Sequence, residues 1–203
     1  MARPLAVAVL VSGQGSLLEP LSESSRSGTI AFRIALVVSD RAGTPAIERA
    51  RRAGLPTEVL PRAGADDARW SRSLDFLLRS RGVDLVLLAG FLSVLPPGFL
   101  AGWRGRVINV HPSLLPRHGG PGMFGLRVHA AVLASGEATT GATVHLVTDT
   151  VDGGPALAHR ELPVETGDTP ERLRDRLRPL ELEALFEVLG QFATGRWALP
   201  YAG

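Results

Sequence analysis

The chain has 203 residues, 45% hydrophobic and 21% charged, the size and balance of one well-filled globular α/β domain. It contains no cysteine and no lysine, so all 22 basic residues are arginine; this excludes disulfides, thiolate metal ligands, cysteine nucleophiles, Schiff-base chemistry and a P-loop lysine. The pI near 10.2 accompanies a net charge of only +2, because arginine-only basicity with one tyrosine leaves little to titrate above neutrality; with no basic stripe in the sequence, no nucleic-acid partner is expected.

Leu5 to Val11 is a continuous apolar run, which predicts a strand covered on both faces in a parallel sheet. It is too short for a secretory segment with its cleavage site, and no apolar run reaches membrane-span length; a cytoplasmic protein without a membrane partner is expected. Gly13-Gln14-Gly15-Ser16 follows, and Leu17, Leu18 and Leu21 begin a helical spacing. A strand, a glycine turn and a helix N-terminus make an anion site from backbone N–H groups; the same residues would also serve as a plain tight βα turn. Leu18 stands at the third glycine of a dinucleotide fingerprint, which counts against a Rossmann nucleotide module with Asp40 reading a ribose.

Phe32 to Ser39 predicts a second strand, Thr44-Pro45 the start of a helix ending near Ala53, and Thr57 to Leu60 a short third strand. A helix carrying Trp70, Leu74, Leu77 and Leu78 on one face precedes a fourth strand, Asp84 to Ala89, and Pro96-Pro97 opens a short helix. Pro116 to Gly125 is too rich in glycine and proline for a regular element and reads as a substrate loop. A helix over 126–134 and strands over 141–147 and 156–164 follow, the strands bracketing an Asp-Gly-Gly-Pro turn. The last helix, capped by Asp168 or Thr169, is expected as two segments because Pro179 interrupts it, with the arginines at 172, 174, 176 and 178 mostly solvated. The predicted architecture is a single-domain, Rossmann-like α/β fold over 1–203: a mostly parallel twisted sheet flanked by helices, with an antiparallel portion near the C-terminal strands.

The strongest chemical signal is Val107 to Pro116. Val107, Ile108 and Val110 suit a buried strand, while Asn109 and His111, two residues apart, face the same side of it. Pro112 ends the strand there, so a carboxamide and an imidazole emerge together at its carboxyl end, where α/β folds present chemistry. Taken alone, such a pair could equally close a turn by hydrogen bonding.

Asn109-x-His111-Pro-Ser-Leu-Leu-Pro116, with Thr148-Asp149-x-x-Asp152-Gly-Gly some forty residues on, resembles the folate-dependent formyltransferase family. The Ser12-Gly13-x-Gly15-Ser16 element, the Leu88-Ala-Gly-Phe91 turn and the chain length point to the branch that acts on glycinamide ribonucleotide. The resemblance implies formyl transfer from 10-formyltetrahydrofolate, as co-substrate, to the primary amine of that nucleotide, with no metal, in a monomer or homodimer. It implies Asn109, His111 and Asp152 as catalytic residues and His145 as a supporting one. Asn109 and His111 would donate to the developing oxyanion, and Asp152 would accept the amine proton and favour the imidazolium form of His111. The nucleotide would contact Gly13, Gly15, Ser16, Leu17, Arg178 and Glu181. The folate would contact Leu92, Ser93, Val94, Leu95, Asn109, Thr148, Asp149 and Asp152. The nucleotide-phosphate half would be about 1–100, the catalytic and folate half about 101–203. Leu17 replaces the commoner asparagine and Ser93 the commoner arginine. Relatives with a tRNA-binding or regulatory domain would need more chain than this, and other acceptors or deformylation remain the alternatives within the family.

Overall fold

The computed structural model describes residues 3–197. The chain forms two compact units, one comprising residues up to Ile108 together with those from Leu189 onward, the other Asn109–Val188. Strand order in the sheet is β3-β2-β1-β4-β5-β6-β7, as labelled below.

The first unit alternates strand and helix: β1 (Leu5–Val11), α1 (Leu18–Ser27), β2 (Phe32–Ser39), α2 (Pro45–Arg52), β3 (Thr57–Val59), α3 (Asp67–Ser80), β4 (Leu85–Leu88) and α4 (Pro97–Gly102). β1 pairs in parallel with β2 and with β4, and β2 with β3. All seven residues of β1 are buried, as its uninterrupted apolar run requires. On α3, Trp70, Leu74 and Leu78 fill the core at four-residue spacing, whereas Leu77 lies at the rim. Asp66 caps that helix, accepting from Arg69 N at 2.8 Å. Thr44 occupies the N-cap of α2 but does not cap with its side chain; its hydroxyl is diverted to Ser39 Oγ, 3.3 Å away.

β5 (Val107–His111) leads into the second unit, which holds α5 (Leu126–Ser135), β6 (Thr139–Leu146), β7 (Ala156–Pro163) and most of α6 (Pro170–Ala193). β6 and β7 are antiparallel, from Thr139 opposite Pro163 to His145 opposite Ala156. This is the expected sheet, parallel through the first unit and antiparallel at its C-terminal strands, with flanking helices. Gly154, at the start of the return to β7, lies so close to Leu146 O that a Cβ could not fit.

α6 corrects one expectation, because it runs unbroken through Pro179. The ring removes one backbone donor, but Leu173 and Leu177 before it and Ala184, Leu185 and Val188 after it are fully buried. Burial on both sides of the proline therefore holds one helix. Thr169 caps it, accepting from Arg172 N at 3.2 Å. Its arginines are not simply solvated: Arg172 and Arg176 both pair with Glu165 and Asp168, while Arg174 pairs with Asp175. Among the described residues no helix is long and apolar enough to cross a membrane.

Candidate active site

In the second unit, β5 delivers the expected side chains. Ile108 is fully buried and Val110 nearly so, while His111 is 4% exposed and Asn109 half-buried on the other side of the pleat. Asp152, from the turn between β6 and β7, meets both polar residues. Its Oδ2 lies 3.5 Å from His111 Nδ1, and its Oδ1 lies 3.5 Å from Asn109 Nδ2 and 3.5 Å from His145 Nε2. Asp152 has a φ of 54°, a left-handed conformation that Asp tolerates better than most side chains. His145, on β6, donates from Nδ1 to Leu146 O at 2.9 Å; its Nε2 is thereby the acceptor for Asn109 Nδ2 at 3.1 Å. One amide proton of Asn109 is thus held by His145, and the other faces Asp152 across the longer contact.

The charges are tuned against one another. Burial would raise the Asp152 carboxyl, but the contact with His145, the charge that His111 carries once protonated in the acid range where Asp152 titrates, and the N–H of Gly120, 2.9 Å from Oδ2, outweigh it and hold Asp152 below its ordinary value. Burial dominates at His111, lowering its pKa; the charge of Asp152 and the carbonyl of His118 pull the other way without prevailing. Asp152 therefore acts on His111 in the expected direction, but burial prevails and shifts the balance toward the neutral imidazole and away from the expected imidazolium. Its Nε2–H donates to His118 O at 2.8 Å, which leaves Nδ1 as the lone-pair nitrogen beside the carboxylate.

Sequence reasoning marked the glycine-rich loop as a substrate loop but missed its backbone contacts to His111 and Asp152. His118 offers its carbonyl to His111, and Gly120 its N–H to Asp152. Gly119 packs where a Cβ would lie 3.3 Å from Asp152 Cβ and 2.5 Å from Leu115 Cδ2. Backbone contacts of this kind leave no trace in residue type beyond the density of glycine. Ser113, fully buried, anchors the loop start, donating to Arg117 O at 2.6 Å while Thr143 Oγ1 donates to Ser113 O at 2.7 Å.

Glu181, on α6 of the same unit, is half-buried; burial of its carboxyl pushes the pKa up to about 7, against the opposing charge of Arg178. Thr148 donates to Thr150 O at 3.3 Å, and Asp149 is exposed.

In the first unit, Gly15 has a φ of 65°, and a Cβ there would lie 2.7 Å from Ala46 Cβ. Gly13 has no such constraint, but its carbonyl accepts from Ala46 N at 3.0 Å. Leu17 is the N-cap residue of α1 with its side chain buried, so it offers only its backbone, and Ser16 is exposed. No hydrogen bond among the described residues engages the N–H groups of Gly15, Ser16 or Leu17. Of the predicted folate segment, Leu92 and Val94 are exposed, at 45% and 64%, whereas Leu95 belongs to the core. Ser93 donates to Asp40 Oδ2 at 2.6 Å, and Leu92 N donates to Ser12 Oγ at 2.8 Å. Among the described residues no group of three or more His, Asp or Glu is arranged to hold a metal ion.

A scan against protein families matches residues 5–189 to the family described as Formyl transferase, and the chain belongs to that family. Within it, the chain is 36% identical over 192 residues to phosphoribosylglycinamide formyltransferase of Escherichia coli K12, covering 94% of this chain and 88% of that protein. It is 37% identical over 198 residues to the trifunctional purine biosynthetic protein adenosine-3 of Gallus gallus; this is 97% of the chain but only 19% of that protein's length. The crystal structure of glycinamide ribonucleotide transformylase 1 from Symbiobacterium toebii superposes with a TM-score of 0.90 at 35% identity, covering 100% of this chain and 93% of that one.

Proposed function

We propose that this protein transfers the formyl group of 10-formyltetrahydrofolate to the primary amine of glycinamide ribonucleotide, giving N-formylglycinamide ribonucleotide and tetrahydrofolate. The observation that carries the reading is Asp152, held ionised between His111, Asn109 and His145. Attack of the amine on the formyl carbon makes an N–C bond and puts negative charge on the formyl oxygen; collapse then breaks the bond to the folate nitrogen. Asn109, oriented by His145, supplies a donor for the oxyanion by exchanging its longer contact to Asp152. The proton lost by the attacking nitrogen passes to Asp152, directly or through water, and His111 Nδ1 beside it is a second acceptor. The leaving folate nitrogen takes a proton back, which closes the balance.

The nucleotide phosphate fits the unpaired N–H groups of Gly15, Ser16 and Leu17 at the start of α1, with Gly13 shaping the turn. Glu181 and Arg178 are assigned to the remainder of the nucleotide. The donor set suits a reduced folate. In the first unit, exposed Leu92 and Val94 offer apolar contact beside Ser93 and Leu95; in the second, the turn of Thr148, Asp149 and Asp152 is assigned to the folate. We read residues 1–203 as one formyltransferase domain. The test is the absorbance change on mixing protein, a 10-formyl folate and glycinamide ribonucleotide, with the amine omitted as control. Turnover that requires the amine is expected; turnover without it would make the protein a deformylase and overturn the acceptor assignment.

A further inference from the structure

Beyond Asn109, His111 and Asp152, the second unit contains a charged clamp that touches no reacting atom. Glu137 lies between α5 and β6, where Gly136 ends α5 in the left-handed conformation. One of its carboxylate oxygens is 3.0 Å from His118 Nε2, and the other accepts from Arg117 Nη1 at 3.1 Å. His118 has a φ of 52°, a conformation uncommon for side chains other than Asn, Asp and His. Two ties on consecutive residues, with Ser113 Oγ on Arg117 O, hold the backbone where the His118 carbonyl meets His111 Nε2 at 2.8 Å. Because a carbonyl can only accept, this contact requires the proton on Nε2, and in the neutral ring it leaves Nδ1 bare beside Asp152. Were the carbonyl to move away, the competing tautomer would place its proton on Nδ1 and donate it to Asp152 Oδ2. That would occupy the carboxylate and leave Nδ1 unable to accept.

We propose that Glu137 is a positioning residue for the reaction: through His118 it holds the His118 carbonyl on His111 Nε2 and so fixes the imidazole tautomer that faces Asp152. The inference rests on the formyl-transfer reading for its consequence, but not for its geometry.

The test combines ¹⁵N spectra of the His111 ring with steady-state kinetics for Glu137→Ala, His118→Ala and the double variant; each is first shown to be folded by its thermal transition. Both single variants should shift His111 from the Nε2–H pattern to a mixture and lower kcat about five- to twentyfold with KM changed less than twofold. The double variant should fall no further than the worse single variant, since the two side chains act as one. Glu137→Gln, which keeps an acceptor for His118, should recover kcat to within about threefold of the parent. An unchanged ring spectrum in Glu137→Ala, or losses that multiply in the double variant, would overturn the proposal. The spectra need no substrate, so a parent protein without amine-dependent turnover but with the expected spectral shift would defeat only the functional reading.

Discussion

Asp152→Asn isolates charge from shape. Asparagine tolerates the left-handed backbone that Asp152 adopts, and its side-chain oxygen can still accept from Gly120 N, so loop and turn should stay in place. What disappears is the negative charge 3.5 Å from His111 Nδ1 and the base for the amine proton. With an effective dielectric of about 20, a charge pair at this distance is worth about 5 kcal/mol, which bounds the cost of charging His111 without its partner. Loss of a positioned general base typically costs ~100- to 10,000-fold. At 1.36 kcal/mol per decade the two figures agree, and kcat should fall by about three orders of magnitude. The assay is the 10-formyl folate absorbance change at saturating glycinamide ribonucleotide, with thermal denaturation to confirm the fold. A variant within tenfold of the parent kcat would show that the carboxylate is not the proton acceptor.

Glu181→Gln should alter stability in a pH-dependent way. The folded-state pKa of about 7 lies above the ordinary value of 4.5, so the folded protein binds the extra proton. The associated stability is complete below pH 4.5 and is lost as pH rises through 7. The variant should lack this loss and, relative to the parent, gain on the order of 1–2 kcal/mol between pH 5 and pH 8 after allowing for partial exposure, read as a Tm difference of a few degrees. Gly15→Ala combines a left-handed φ with a Cβ 2.7 Å from fully buried Ala46. A cost of ~2–4 kcal/mol and a rise of about tenfold or more in KM for the nucleotide are expected, and a parent-like Tm would refute the packing argument. Ser93→Ala removes the 2.6 Å hydrogen bond to Asp40, whose carboxyl is held low by Arg41, Ser93 and Ser12 against its burial. A loss of ~1–2 kcal/mol in denaturant unfolding is expected, and no loss would mean that Ser12 and Arg41 suffice.

What could be read from the sequence follows from how local each determinant is. β1 is apolar throughout and β2 nearly so, broken only by exposed Arg33 and terminal Ser39, because both faces are covered, so composition largely delimits them. Asn109 and His111 share a face by strand periodicity, but nothing local says that Asp152 and His145 meet them; contacts between residues some forty positions apart do that. Resemblance to a known family supplied those two. Pro179 misled because a proline rule is local, while the leucines that keep α6 whole are scattered along it. The shift of His111 toward neutrality was likewise out of reach, since it depends on burial created by distant elements. Glu137 and His118 were invisible because their role runs through a backbone carbonyl.

β7 is the last strand of its sheet, eight residues long, and so displays a row of backbone donors and acceptors on which another chain could build. The strand is also unusually charged for its place. Arg160 reaches Glu187 at 2.6 Å and Glu183 at 3.7 Å on α6, and Glu161 and His159 stand exposed beside it. Any strand that docked there would have to strip water from these charges. At the opposite edge, β3 is only three residues long and offers little to build on. One border is defended by charge and the other by brevity, two devices that discourage edge-to-edge growth of a sheet.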